Sequence, residues 1–163
     1  MLATVRSVSM RLFRAIGLIS VGAFAGFASP AAIAKRALPS RGDAESDDVF
    51  LVAIFDGVEL KSRATAFRGG SMFSWFGGIA VDLREARLGP GAHLDLDSLF
   101  GGIALRVPPD WRIESRVKAF SGGVAIGVPE PDDPDAPTLT LDGFAAFGGL
   151  AVGARAAETA PET

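Results

Sequence analysis

The chain has 163 residues, 48% hydrophobic, with 20 glycines, 10 prolines and no cysteine, a composition that suits one domain with a sizeable core. The missing cysteine excludes disulfides, thiolate metal sites, cysteine nucleophiles and a lipid anchor on cysteine. Net charge is −3, but residues 1–34 hold Arg6, Arg11 and Arg14 and no acid, so residues 35–163 carry 13 basic against 19 acidic side chains, −6, which argues against nucleic acid as a partner.

Residues 1–34 read as a signal peptide or a membrane anchor. A basic start ends at Arg14, an uncharged stretch runs from Ala15 to Ser29, and Ala32-Ile33-Ala34 fits cleavage before Lys35. Ala15 to Ala34 is also about long enough to span a bilayer, though rich in Ala and Gly and interrupted by Pro30. Either way the positive end stays in the cytoplasm and the remainder is expected outside it, periplasmic or secreted, touching the membrane only through this segment. Residues 35–48 (KRALPSRGDAESDD) lack apolar periodicity and read as a flexible linker, and 156–163 as a disordered tail.

Between them, residues 49–155 repeat one unit: alternating apolar residues, a corner, and alternation resumed one residue out of step. The corners are Phe55-Asp56-Gly57, Phe76-Gly77-Gly78, Phe100-Gly101-Gly102, Ser121-Gly122-Gly123 and Phe147-Gly148-Gly149. Their spacings of 21, 24, 21 and 26 residues match a solenoid with one unit per coil. Alternation on both sides predicts strands, and the phase change predicts a bend. Gly at the corner suggests a positive φ there, since glycine adopts it without a Cβ penalty. The expected fold is therefore an all-β, single-stranded β-solenoid of about five coils, with an antiparallel β-sandwich as the alternative.

Stacked in register, Phe55, Phe76, Phe100 and Phe147 would form an aromatic ladder. Val58/Leu60, Ile79/Val81, Ile103/Leu105, Val124/Ile126 and Leu150/Val152 would form an aliphatic one, so the coils would fold only as a stack. The fourth unit carries Ser121 at the ladder position and Phe120 one place early, which predicts a local distortion.

Chemistry is sparse. His93 is the only histidine, and a lone histidine in strand phase is weak support for a catalytic role. Asp82, Asp95 and Asp97 are expected to point outward as a solvated face, without the repeat-spaced pattern of a Ca²⁺-binding solenoid. Glu130-Pro131-Asp132-Asp133-Pro134-Asp135 lacks the ligand spacing of a Ca²⁺ loop and reads as an exposed connector. In REAR, Arg84, Glu85 and Arg87 are expected to form ion pairs within the chain. Trp111 reads as an end cap or as an aromatic platform for a partner. Ala80, Ala104, Ala125 and Ala151 all lie on the outward phase one residue beyond the first post-glycine aliphatic, a stripe of low relief that could dock a partner sheet or another copy. No catalytic residue, metal ligand or cofactor is expected.

The FGG elements, with VDLREARL (Val81 to Leu88) after one and VPPDW (Val107 to Trp111) after another, resemble the C-terminal domain of LiaF-like proteins, the cell-wall-active antibiotics response family, over about residues 49–155. The resemblance implies a non-enzymatic, β-rich envelope domain that takes part in sensing or restraining envelope-stress signalling. The chain departs from that family in having a signal-like N-terminus instead of several transmembrane helices. It also has Ala in four units where the family often has Glu. An envelope protein is the expected partner; self-association, or binding of envelope polysaccharide, are the alternatives.

Overall fold

The computed structural model describes residues 40–155; the expected leader or anchor at 1–34, the start of the expected linker and the tail at 156–163 lie outside the described residues. Eleven strands follow in chain order: β1 (Asp48–Ile54), β2 (Gly57–Lys61), β3 (Phe67–Trp75), β4 (Gly78–Asp82), β5 (Leu88–Leu99), β6 (Gly102–Val107), β7 (Arg112–Ser115), β8 (Lys118–Phe120), β9 (Gly123–Gly127), β10 (Thr138–Ala146) and β11 (Gly149–Ala154). Each coil supplies one strand, or the β7/β8 pair, to each of two sheets. The first sheet runs β1-β3-β5-β10-β7, with β8 also on β10; the second runs β2-β4-β6-β11-β9. Every pairing between these strands is parallel, so the chain is a β-solenoid and the hairpin-built sandwich is excluded.

Strand alternation sends one phase of each sheet inward. Leu51, Met72, Leu94, Leu96, Leu139 and Leu141 from the first sheet meet Ile79, Val81, Ile103, Leu105, Leu150 and Val152 from the second, all buried in one core. Loops and the strand ends beside them close the third side, where Phe67, Leu83, Val107 and Trp111 complete the same core.

The stack does not follow sequence order. Stacking in chain order would set coil four on coil three; instead the fifth coil (β10–β11) sits between them. Leu150 pairs with Ile103 on one side and with Val124 on the other, and Leu141 lies between Leu94 and Ser115. The physical reason is visible in burial. Leu139, Leu141, Leu150 and Val152 are at most 3% exposed and need a neighbour on each side, whereas Ile126 in the fourth coil is 40% exposed and tolerates the end.

The corner also works differently from the expectation. The residue with positive φ is the one before the glycines: Phe55, Phe76, Phe100, Ser121 and Phe147 all lie between 51° and 54°. The first glycine is needed for space. An added Cβ would lie 2.3 Å from Asp56 O at Gly77, 2.2 Å from Gly77 O at Gly101, 1.9 Å from Gly101 O at Gly148 and 2.1 Å from Gly148 O at Gly122. Those carbonyls accept hydrogen bonds of 3.1 Å from the N–H of Gly78, Gly102, Gly149 and Gly123, so the coils approach too closely for any side chain there. Ser121 keeps the same corner backbone as the Phe units, and the irregularity of the fourth unit lies before it, where the first-sheet strand is interrupted between β7 and β8.

Residues 40–47, expected as linker, are fastened to the first coil. Arg41 and Phe50 exchange backbone hydrogen bonds as an antiparallel bridge (2.6 and 2.8 Å), and Ser40 Oγ accepts from Val52 N–H at 3.0 Å. These groups satisfy the outer edge of β1, which drives the pairing.

Substitution at the two corner glycines should separate space from conformation. Gly148→Ala should destabilise the fold by about 2–4 kcal/mol, because a backbone carbonyl cannot move aside. Gly78→Ala, whose added Cβ would meet nothing nearer than 4.0 Å, should leave the denaturation midpoint nearly unchanged. Equal losses in urea melts would contradict this division of roles.

Candidate binding surfaces

The corners align into a row of phenyl rings on the outside of the solenoid. Phe55 stacks on Phe76 at 5.0 Å, Phe76 on Phe100 at 4.8 Å and Phe100 on Phe147 at 4.8 Å, with planes within 7° of parallel. The fourth unit breaks the row in an ordered way: Phe120 meets Phe147 edge-on at 5.9 Å and 86°. Trp75 leans on Phe55 and Phe76 at the other end. A left-handed non-glycine residue costs about 1–2 kcal/mol, and each ring pair returns about 0.5–1.5 kcal/mol, so the stack roughly offsets the strain. The ladder forms as expected but at the surface: the five phenylalanines are 43–62% exposed, an uncommon density of large apolar groups in one line.

Beside this ridge lies the outer face of the second sheet. Register places Glu59, Ala80, Ala104, Ala151 and Ala125 in one column, all exposed, so the expected stripe is present, in stack order. The column of second glycines, Gly57, Gly78, Gly102, Gly149 and Gly123, flanks it on one side. On the other side stand Lys61, Asp82 and Arg106, followed by Gly153 and Gly127. The face is therefore flat, charged near the first coil and bare near the last.

The outer face of the first sheet holds the histidine and a group of carboxyls. His93, Asp95 and Asp97 follow one another on the outward phase of β5, and register sets Asp142 beside Asp95. His93 Nδ1 is 3.6 Å from Asp142 Oδ2, and Arg116 approaches the same oxygen at 3.9 Å. These carboxyls are less solvated than the expected open face. Burial pushes Asp97 up to about 6, with repulsion from Asp95 adding to it, and burial also raises Asp95 above the ordinary carboxylate range. An open cleft of about 640 Å³ begins beside them, lined by Pro90, His93, Arg116, Thr138 and Thr140 among others.

Elsewhere the candidates resolve into structure. Trp111 is 3% exposed and packs in the core, so it presents no platform; the Pro108-Pro109 turn directs it inward from the third side. In the VDLREAR segment the Arg84 guanidinium holds the Asp82 carboxylate at 2.7 and 2.9 Å and keeps it below the usual range, while Glu85 pairs with Lys61 at 2.6 Å. The acidic loop is exposed and tied down by Arg112, which donates to the carbonyls of Asp133 and Pro134. Among the described residues no group of three or more His, Asp or Glu is arranged to hold a metal ion. Nor is any helix among them long and apolar enough to cross a membrane.

Comparisons with protein-family models, with curated proteins and with solved structures found no match for this chain.

Asp97 gives a pH test of the half-buried carboxyl patch. Its folded-state value is raised, so it favours the folded state most fully below about pH 4, and this contribution is lost as pH rises through about 6. Asp97→Asn should therefore melt higher than the parent at neutral pH, and the gap should shrink on acidification. A gap that does not vary with pH would contradict burial as the cause.

Proposed function

We propose that the chain is a non-enzymatic binding module of the cell envelope that docks a protein partner along its ridge of stacked phenyl rings. The observation that supports this reading is the exposure of that ridge: large apolar side chains held in a fixed row, next to a flat sheet face that allows close approach. Rings fixed by stacking lose little conformational freedom on binding, which favours affinity. The setting outside the cytoplasm rests on the leader-like sequence at 1–34, and a link to envelope stress on the resemblance to LiaF-like proteins.

Binding of envelope polysaccharide through Trp111 with Asp95 and Asp97 is the weaker reading, because the two carboxyls stand on the outer face of the first sheet while Trp111 is in the core.

Asn tolerates left-handed backbone, so Phe76→Asn with Phe100→Asn removes two rings without forcing the corners. The double variant should remain folded by circular dichroism. In cells lacking the parent chain it should fail to restore normal sensitivity to wall-active antibiotics, as an empty vector does. Full restoration by a folded, ring-depleted variant would overturn the role of the ridge.

A further inference from the structure

The two ends of the stack are treated differently. At the first coil, the edge of β1 is occupied by the Arg41 bridge and the Ser40 hydroxyl, and β2 carries the charged Glu59 where the inner coils have alanine, with Lys61 two residues on. Charged side chains and added segments are the usual means of blunting a strand edge. At the last coil the first-sheet edge, from β7 to β8, carries Arg112, Glu114, Arg116 and Lys118, but the second-sheet edge is bare: β9 pairs only with β11 among the described strands, and no charged residue occurs from Ala119 to Pro129. Ile126 occupies the column in which Val81, Leu105 and Val152 are 1–2% exposed, yet it is 40% exposed itself, and Phe120 is 62% exposed. The core simply stops there, open.

What could continue it is constrained by the corner. Each glycine corner points its missing Cβ at the carbonyl of the coil beneath, so a coil added beyond Gly122 must bring a glycine to that position. The first coil brings Asp56, the one corner with a side chain there. A second copy stacking head to tail would drive that side chain into Gly122 O, as an added Cβ at Gly122 would be driven to 2.1 Å from Gly148 O. Head-to-tail growth is blocked by Asp56 and by the covered edge of β1.

The open end, by contrast, is complementary to itself. The strand reads Gly123-Val124-Ala125-Ile126-Gly127, symmetric in size about Ala125. Laid antiparallel on a second copy, Gly123 faces Gly127, Val124 faces Ile126 and Ala125 faces Ala125. The alternating phase is preserved, so the aliphatic column runs on across the junction. We propose that the open end is a homodimer interface: a second copy of this chain docks end to end about a twofold axis through Ala125, with β9 antiparallel to β9. Such a contact uses the same patch on both copies and closes on itself, giving dimers and not fibres. The proposal is independent of the ridge as a docking site.

The chain lacks cysteine, so Ala125→Cys in the full chain reports directly. It should form an intermolecular disulfide under mild oxidation, while Ala80→Cys, on the same face but away from the open end, should not. Sedimentation of the parent should give a species of twice 16.9 kDa that does not grow with concentration. Ile126→Lys should give a folded monomer at concentrations where the parent is a dimer. A parent that stays monomeric throughout, equal crosslinking at positions 80 and 125, or a folded Ile126→Lys dimer would each overturn the proposal. If Ile126→Lys does not fold, the crosslinking comparison decides alone.

Discussion

The whole stack depends on one close approach: a corner carbonyl lies where the next coil's Cβ would be. That carbonyl accepts the N–H of the second glycine in the coil above, at 3.1 Å in all four junctions. A second bond holds each corner from the opposite direction, from the N–H of the Phe to the carbonyl before the neighbouring corner, at 2.9–3.1 Å. Together they fix coil spacing at the bend, where sheet hydrogen bonding would otherwise lapse. The phenyl rings then fall at stacking distance as a consequence of backbone spacing, since adjacent parallel strands lie about 4.8 Å apart.

Because the missing Cβ always points the same way, the corner gives the stack a direction. A coil with a side chain there can stand only at the bottom, which is where Asp56 is found. The top is marked by exposure, with Ser121 in place of a ring and Ile126 uncovered. The interior slot goes to the fifth coil, even though the chain reaches it last and must return through the long Val128–Pro137 connection. Burial of Leu139, Leu141, Leu150 and Val152 on both sides outweighs the closure of that loop, whose entropic cost rises only slowly with length.

Much of this was legible in the chain itself. Strand alternation, the five corners and the in-register ladders are local patterns, and the structure reproduces them residue by residue. The order of coils was not legible from spacing, because spacing says nothing about which neighbour a coil selects. Two residues carry the order: Asp56, the one corner with a side chain at the close approach, implies a bottom coil, and Ser121 in place of a ring implies an end. The corner glycines suggest a left-handed turn because glycine is the usual left-handed residue, whereas in the fold they supply clearance and Phe supplies the turn. The burial of Trp111 is not legible for a related reason: it lies outside the strands, where period-two reasoning gives no inside or outside. The exposed position of the phenyl ladder follows from the left-handed corner and could not be read without it.

The central claim is that corner geometry and burial, not chain order, set the sequence of coils. Disulfide formation between engineered cysteines tests it most directly, because bridging requires Cα atoms within about 7 Å and adjacent strands satisfy this while next-nearest strands do not. Ala104 lies beside Ala151, and Ala125 lies one strand further out. The chain carrying Ala104→Cys and Ala151→Cys should close an intramolecular disulfide at dilute concentration, and the chain carrying Ala104→Cys and Ala125→Cys should not. Closure of the 104–125 bridge with failure of the 104–151 bridge would restore sequence order to the stack and contradict the claim.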